Sequence, residues 1–101
     1  MKKYNIIFSE NSTKDIKNLY DYIEITCKSP LTAKGYVYGL RDSIKKLEYS
    51  AGSYSVQNDK FFSKYGSHVH RLIYKKMTII FTLHNDIAYI HRIMPSALVI
   101  Q

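Results

Sequence analysis

The stretch His68–Met94, HVHRLIYKKMTIIFTLHNDIAYIHRIM, decides the fold. Within it Val69–Tyr74 alternates apolar and polar side chains, with His70 on one face and Val69 and Arg71 on the other. Thr78–Leu83 and Ile87–Met94 are rich in β-branched and aromatic residues. Such residues fit a pleated, half-buried surface, so the pattern predicts three strands. His84-Asn85-Asp86 supplies the short polar side chains that tolerate turn geometry, and Lys75-Lys76-Met77 forms the other turn without Gly or Pro. Three consecutive strands with short connections make an antiparallel meander, whose apolar face needs a second layer.

That layer is legible upstream. Tyr4–Ser9 reads as a first strand, mostly buried on both sides. Ser12-Thr13-Lys14-Asp15 fits a capping box, in which Asp15 reaches back to the cap, so a helix is expected to start there. Ile16, Leu19, Tyr20, Ile23 and Cys27 then recur at helical spacing on one face, with Cys27 as a small buried apolar residue. Ser29-Pro30 ends this helix and opens a second, because the residue before proline avoids helical angles and proline suits a first turn. Ala33, Val37, Leu40, Ile44 and Leu47 form the second apolar stripe. Gly35 and Gly39 predict a close approach of the first helix, and Lys34, Tyr38, Arg41, Lys45 and Glu48 form a face opposite the stripe. From Tyr49 to Gly66 loop formers dominate, and a loop of that length in a small domain is expected to be anchored; Phe61 and Phe62 are the anchors. The expected architecture is α+β: N-terminal strand, α-helical hairpin, and a three-stranded antiparallel meander completing one sheet.

At 101 residues the chain is expected to be a single domain, 1–101. A hydrophobic content of 46% argues against disorder. The net charge is +7, with nine basic and six acidic residues in 1–50 and six and two in 51–101. A basic surface of this kind attracts polyanions or an acidic protein partner. The single cysteine excludes an intrachain disulfide and a cysteine-rich metal site. The longest apolar-dominated run, Met77–Leu83, is too short to span a bilayer, and Ser9-Glu10-Asn11 cuts short the apolar stretch after Met1-Lys2-Lys3, so a cytoplasmic protein with no membrane association is expected.

Gly-rich phosphate loops, HExxH and GxSxG are absent from the sequence, and no paired acids suggest joint acid–base work. The chemistry that remains is His68, His70, Arg71, Tyr74, Lys75, Lys76, His84, His91 and Arg92. Such a set suits a phosphodiester, with arginine or lysine offsetting charge on phosphorus and His70 or His91 moving protons. Successive strand residues point to opposite faces, so neither His70 with Arg71 nor His91 with Arg92 is expected to share a site. Arg71 and Arg92 lie in apolar strands, where a guanidinium needs a partner or a ligand. No cofactor and no metal are expected.

In its order of motifs the chain resembles the RelE/ParE superfamily of type II toxin–antitoxin toxins. The resemblance rests on Ile6-Ile7-Phe8-Ser9, Asp15-Ile16, Tyr20-Asp21-Tyr22-Ile23, Pro30 with Thr32-Ala33, Ile44-Lys45-Lys46-Leu47, Arg71, Ile79-Ile80-Phe81 and Ile90-His91-Arg92-Ile93. It implies a growth-inhibiting toxin of the plasmid-stabilisation kind, held by a cognate antitoxin, with a homodimer or a toxin–antitoxin hetero-oligomer as the assembly. ParE-like members act on DNA gyrase; RelE-like members are metal-independent, ribosome-dependent endoribonucleases that cut mRNA. His70-Arg71-Leu72-Ile73-Tyr74 is similar to the His-Arg-Leu-Val-Tyr of YoeB-type ribonucleases. In those toxins the motif lies in the penultimate strand, whereas here Thr78–Leu83 intervenes. The long helical hairpin is nearer ParE. Met94-Pro95-Ser96-Ala97-Leu98-Val99-Ile100 departs from both patterns, and Val99-Ile100 is expected to be an exposed end able to meet a partner. The resemblance thus implies target or phosphate binding by Arg71, Lys75, Lys76 and Arg92. If the chain is a nuclease, Arg71, Arg92, His70 and His91 are catalytic; a degenerate toxin acting only as a binding module is the third reading.

Overall fold

The computed structural model describes residues 2–99. A short strand β1 (Asn5–Phe8) leads into helices α1 (Glu10–Cys27) and α2 (Pro30–Lys45). Two single-turn helices follow, α3 (Leu47–Ser50) and α4 (Lys60–Ser63), and then strands β2 (Val69–Tyr74), β3 (Met77–His84) and β4 (Ile87–Pro95). The sheet order is β1-β4-β3-β2, with the meander antiparallel and β1 parallel to β4. This is the α+β architecture expected from the sequence.

Both hairpins turn over two residues, each opened by a residue in the left-handed region, Lys75 at φ 52° and Asn85 at φ 54°. Asparagine tolerates that conformation and lysine tolerates it poorly, which is why only the second turn carries a clear sequence signal. Met77, expected in a turn, is the first residue of β3.

The helical hairpin packs Ile16, Leu40 and Ile44 onto Ile79, Phe81, Ala88, Ile90 and Ile93 of the sheet. The opposite sheet face is covered as well, by Phe62 against Val69, Ile80 and Val99, with Phe61, Tyr65 and Met94 around them. Consequently β3 is buried on both faces from Met77 to Thr82. The expected Tyr49–Gly66 loop is therefore a strap made partly of short helical turns, and Phe62, at 0% exposure, pins it as predicted. Val99, expected at an exposed end, is buried in this second core, and Ile100 lies outside the described residues.

Several local expectations fail for tertiary reasons. β1 is an edge strand and only half covered: Ile6 and Phe8 pack inward, while Ile7 is 43% exposed. The first helix starts at Glu10, because Ser9 acts as the cap and its Oγ accepts the Ser12 N–H at 2.9 Å. Cys27 is exposed, as the last residue of α1. The second apolar stripe is interrupted after Lys45, so Leu47 is buried from α3. Gly39 makes room for the Tyr74 hydroxyl of β2 rather than for α1, and Gly35 faces open space.

Candidate functional site

β1 is only four residues long and pairs with Ile87–Ile90, so the next part of the β4 edge would be left without partners. The start of α1 supplies them. Ser9 N–H donates to the Ile90 carbonyl at 2.9 Å, and Ser9 Oγ donates to the His91 carbonyl at 2.8 Å. One turn on, the Asp15 carboxylate accepts the Ile93 N–H at 2.9 Å. Buried backbone groups must be paired, and here a capping serine and an aspartate pair them.

Asp15 has a second duty. Its two oxygens receive the Arg92 guanidinium in a fork, Nε at 2.8 Å and Nη2 at 3.1 Å. This hydrogen bonding holds Arg92 protonated even more firmly than usual, against the opposing cost of burial. The partner that an arginine in an apolar strand requires is thus the residue expected to close a capping box.

Pairing between β3 and β4 slips at this point: Ile80 faces Arg92 while Phe81 faces Ile90, so His91 is the extra residue of a β-bulge. A bulge interrupts the alternation of side chains. Ile90 and Ile93 both pack in the helical-side core, so the two residues between them, His91 and Arg92, share the other face, contrary to the simple alternation of neighbours, and His91 packs against the Tyr65 ring at 5.6 Å between centroids. The signal was absent from the sequence, since neither residue is Gly or Pro.

His91 Nε2 shares a hydrogen bond with Thr82 Oγ1 at 2.8 Å, and the ring packs edge-on to Tyr89 at 4.7 Å. Burial, and secondarily the neighbouring His84, lower its pKa below the ordinary 6.5. A depressed folded-state pKa means that the unfolded chain binds the proton more readily, so this contribution to stability is complete above about pH 6.5 and is lost as pH falls through the folded value. Urea unfolding between pH 7.5 and about 5 is therefore expected to show decreasing stability, and His91→Gln to flatten part of that slope. An unchanged slope in the variant would reject the assignment.

His70 points the other way, into the helical side, where it is buried and stacks on Phe81. Its Nδ1 lies 3.0 Å from the Tyr54 carbonyl and 3.2 Å from that of Ser55. Carbonyls only accept, so Nδ1 carries the proton and the ring ties the strap to β2. Arg71 is on the opposite face, half-buried, with its guanidinium over the Phe62 ring at 6.0 Å. It is directly opposite Ile80, which is in turn opposite Arg92, so the two arginines share one row across the sheet. Lys75 leaves this group: at the hairpin tip its ammonium lies over Tyr36 and Tyr74, at 5.3 and 5.5 Å. Lys76 is exposed beside it, as are His68 and His84 in their own segments. The structure therefore brings together Arg71, His91 and Arg92 around Tyr65 and Phe62, and separates His70, Lys75 and Lys76 from them. Tyr65, Tyr89, Thr82 and Asp15 complete the site; aromatic residues in a loop and a strand carry no signal that would have placed them there. Among the described residues no three His, Cys, Asp or Glu side chains gather as a metal site requires, and no helix is long and apolar enough to cross a membrane.

No family model matches the sequence, and no curated protein matches it. Solved structures do. A chain of the chromosomal ParDE TA system from P. aeruginosa superposes with a TM-score of 0.77 at 16% identity, over 92% of this chain and 96% of that one. YafQ from E. coli strain BL21(DE3) aligns over 98% of this chain and 100% of that one, at 11% identity and a TM-score of only 0.47. The fold is thus the ParE-like one that the order of motifs resembles.

Proposed function

We propose that this chain is the toxin of a type II toxin–antitoxin pair, acting by gripping a protein target, DNA gyrase, and held inactive by a cognate antitoxin. The likeness in fold to a ParDE chain supports the toxin reading. The preference for a protein target is carried by one observation: the groups a nuclease would use are already engaged. Arg92 is forked onto Asp15, His70 is bound to two carbonyls, and His91 is paired with Thr82. A general acid–base pair needs a proton-moving group within reach of substrate; Nε2 of His91 and Nδ1 of His70 are held by protein partners, and Arg71, the remaining candidate without a polar partner among the described residues, stays protonated and moves no proton. Arg71, Tyr65 and the exposed Lys75–Lys76 tip then serve as contact residues.

A ribosome-dependent endoribonuclease is the second reading, favoured by the bulge that puts His91 and Arg92 on one face of the sheet. The two separate in one experiment. Purified protein is assayed for gyrase supercoiling and for cutting of ribosome-bound mRNA; inhibition of supercoiling with intact mRNA is expected. Cutting that requires ribosomes and disappears in His91→Ala would overturn the proposal in favour of the nuclease. Absence of both activities, with no growth arrest on induction, would leave only a binding module.

A further inference from the structure

Of the fifteen lysines and arginines, most are already spoken for. Lys3, Lys14, Lys17, Lys46 and Arg92 pair with carboxylates, and Lys2, Lys64, Arg71 and Lys75 lie over aromatic rings. Among the described residues, six have neither kind of partner: Lys28, Lys34, Arg41, Lys45, Lys60 and Lys76. Three of these six fall on one face of α2, at the helical offsets of Lys34, Arg41 and Lys45, and Tyr38 stands among them 75% exposed. Nearby acids are already engaged: Asp42 by Lys46 and Glu48 by Lys3. The row extends about 16 Å along the helix. Its far end forms one wall of a groove of about 420 Å³ between α2 and β1, lined by Asn5, Ile6 and Phe8 opposite Arg41, Lys45 and Glu48.

Like-charged side chains with no local partner repel one another, and the row stays together without any structural role that the fold requires. A generic solvated helix face carries both signs in alternation; on this one Lys34, Arg41 and Lys45 precede a single acid, Glu48, which lies beyond the end of α2 and pairs with Lys3. Cations seven and four residues apart, with the exposed Tyr38 ring between the first two, match a single-stranded polyanion, whose phosphates meet the cations while a base stacks on the ring. We infer that the outer face of α2, Lys34, Tyr38, Arg41 and Lys45, is a binding surface for single-stranded nucleic acid, with Asn5 and the groove beside it receiving the strand as it leaves the helix. The surface is on the helical side of the sheet, away from His91 and Arg71, and is independent of the toxin reading.

The test uses the full chain and a fluorescein-labelled oligothymidylate of about 20 nucleotides, read by anisotropy at several salt concentrations. Binding is expected to weaken with salt with a log–log slope of about −2, from three phosphate contacts. Lys34→Ala/Arg41→Ala/Lys45→Ala is expected to lose about tenfold or more in affinity and most of that slope. Tyr38→Ala should lose about fivefold or more at unchanged slope, which separates stacking from charge. The charge-matched triple variant Lys14→Ala/Lys17→Ala/Lys60→Ala is expected to bind as the parent does. Equal losses in both triple variants would mean diffuse attraction to a basic protein and would overturn the proposal. So would displacement of the oligonucleotide by polyglutamate at equal charge concentration, which would identify an acidic polypeptide as the ligand class.

Discussion

Asp15→Ala is expected to destabilise the protein by about 3 kcal/mol in urea unfolding, far more than a helix-surface substitution normally costs. Three hydrogen bonds meet on this one carboxylate: two from Arg92 and one from the Ile93 backbone. Removing it leaves a half-buried guanidinium unpaired and a strand-edge N–H without an acceptor, and removing one member of such a pair costs more than the pair contributes. The estimate sits at the low end for a buried pair, because Arg92 is 37% exposed and Asp15 13%, and water can recover part of the loss. Asp15→Asn keeps an oxygen for Ile93 and loses the charge, so about half the cost is expected. A double-mutant cycle with Arg92→Ala should show coupling above about 1 kcal/mol. If Asp15→Ala shifts stability by less than about 1 kcal/mol, the fork is a surface ion pair and its role in holding α1 to β4 is withdrawn.

Phe62→Ala is expected to cost about 3–5 kcal/mol, the largest effect of any single truncation in the strap. The ring is fully buried, packs edge-on against Phe61 at 5.3 Å, and closes the sheet face formed by Val69 and Ile80. The Phe62 carbonyl also accepts the Tyr65 N–H at 3.0 Å, so loss of the anchor loosens the residue that packs on His91. The folded fraction of the variant should therefore show a second signature: the His91 pKa returns toward 6.5 as its cover opens, measurable by proton NMR titration of the imidazole. Ile73→Ala, on the same strand sheet but 55% exposed, is expected to stay within about 0.5 kcal/mol. Comparable costs for the two variants would show that the strap contributes no core.

These two residues mark where sequence reading succeeded and where it stopped. Phe62 was identified as an anchor because two adjacent aromatics in a run of loop formers have no other place to go than inward. Asp15 reads as having a local role, because Ser12 stands three positions before it; the competing cap, Ser9, is just as good by composition, and the fold chooses it because Ser9 also completes the edge of β4. His91 and Arg92 were placed on opposite faces by the strand's period of two, and a bulge that no residue type announces put them together. His70 and Arg71 obeyed the same rule and are on opposite faces. Cys27 followed helical spacing faithfully and is exposed all the same, because periodicity says which side of a helix is apolar and not how much of that side is covered.

Short-range periodicity and turn chemistry set the elements, their order, and which side of most of them is apolar, so these are legible along the chain. So is the basic balance, although not its distribution in space. Packing of distant segments is what sets Asp15 against Arg92 across 77 residues, closes the second face of the sheet with the strap, and leaves without partners the three cations that helical spacing already puts on one side of α2. Each of these depends on which backbone donors, carboxylates and rings meet once distant segments pack, and that choice is made by competition among partners rather than by any residue's own preference.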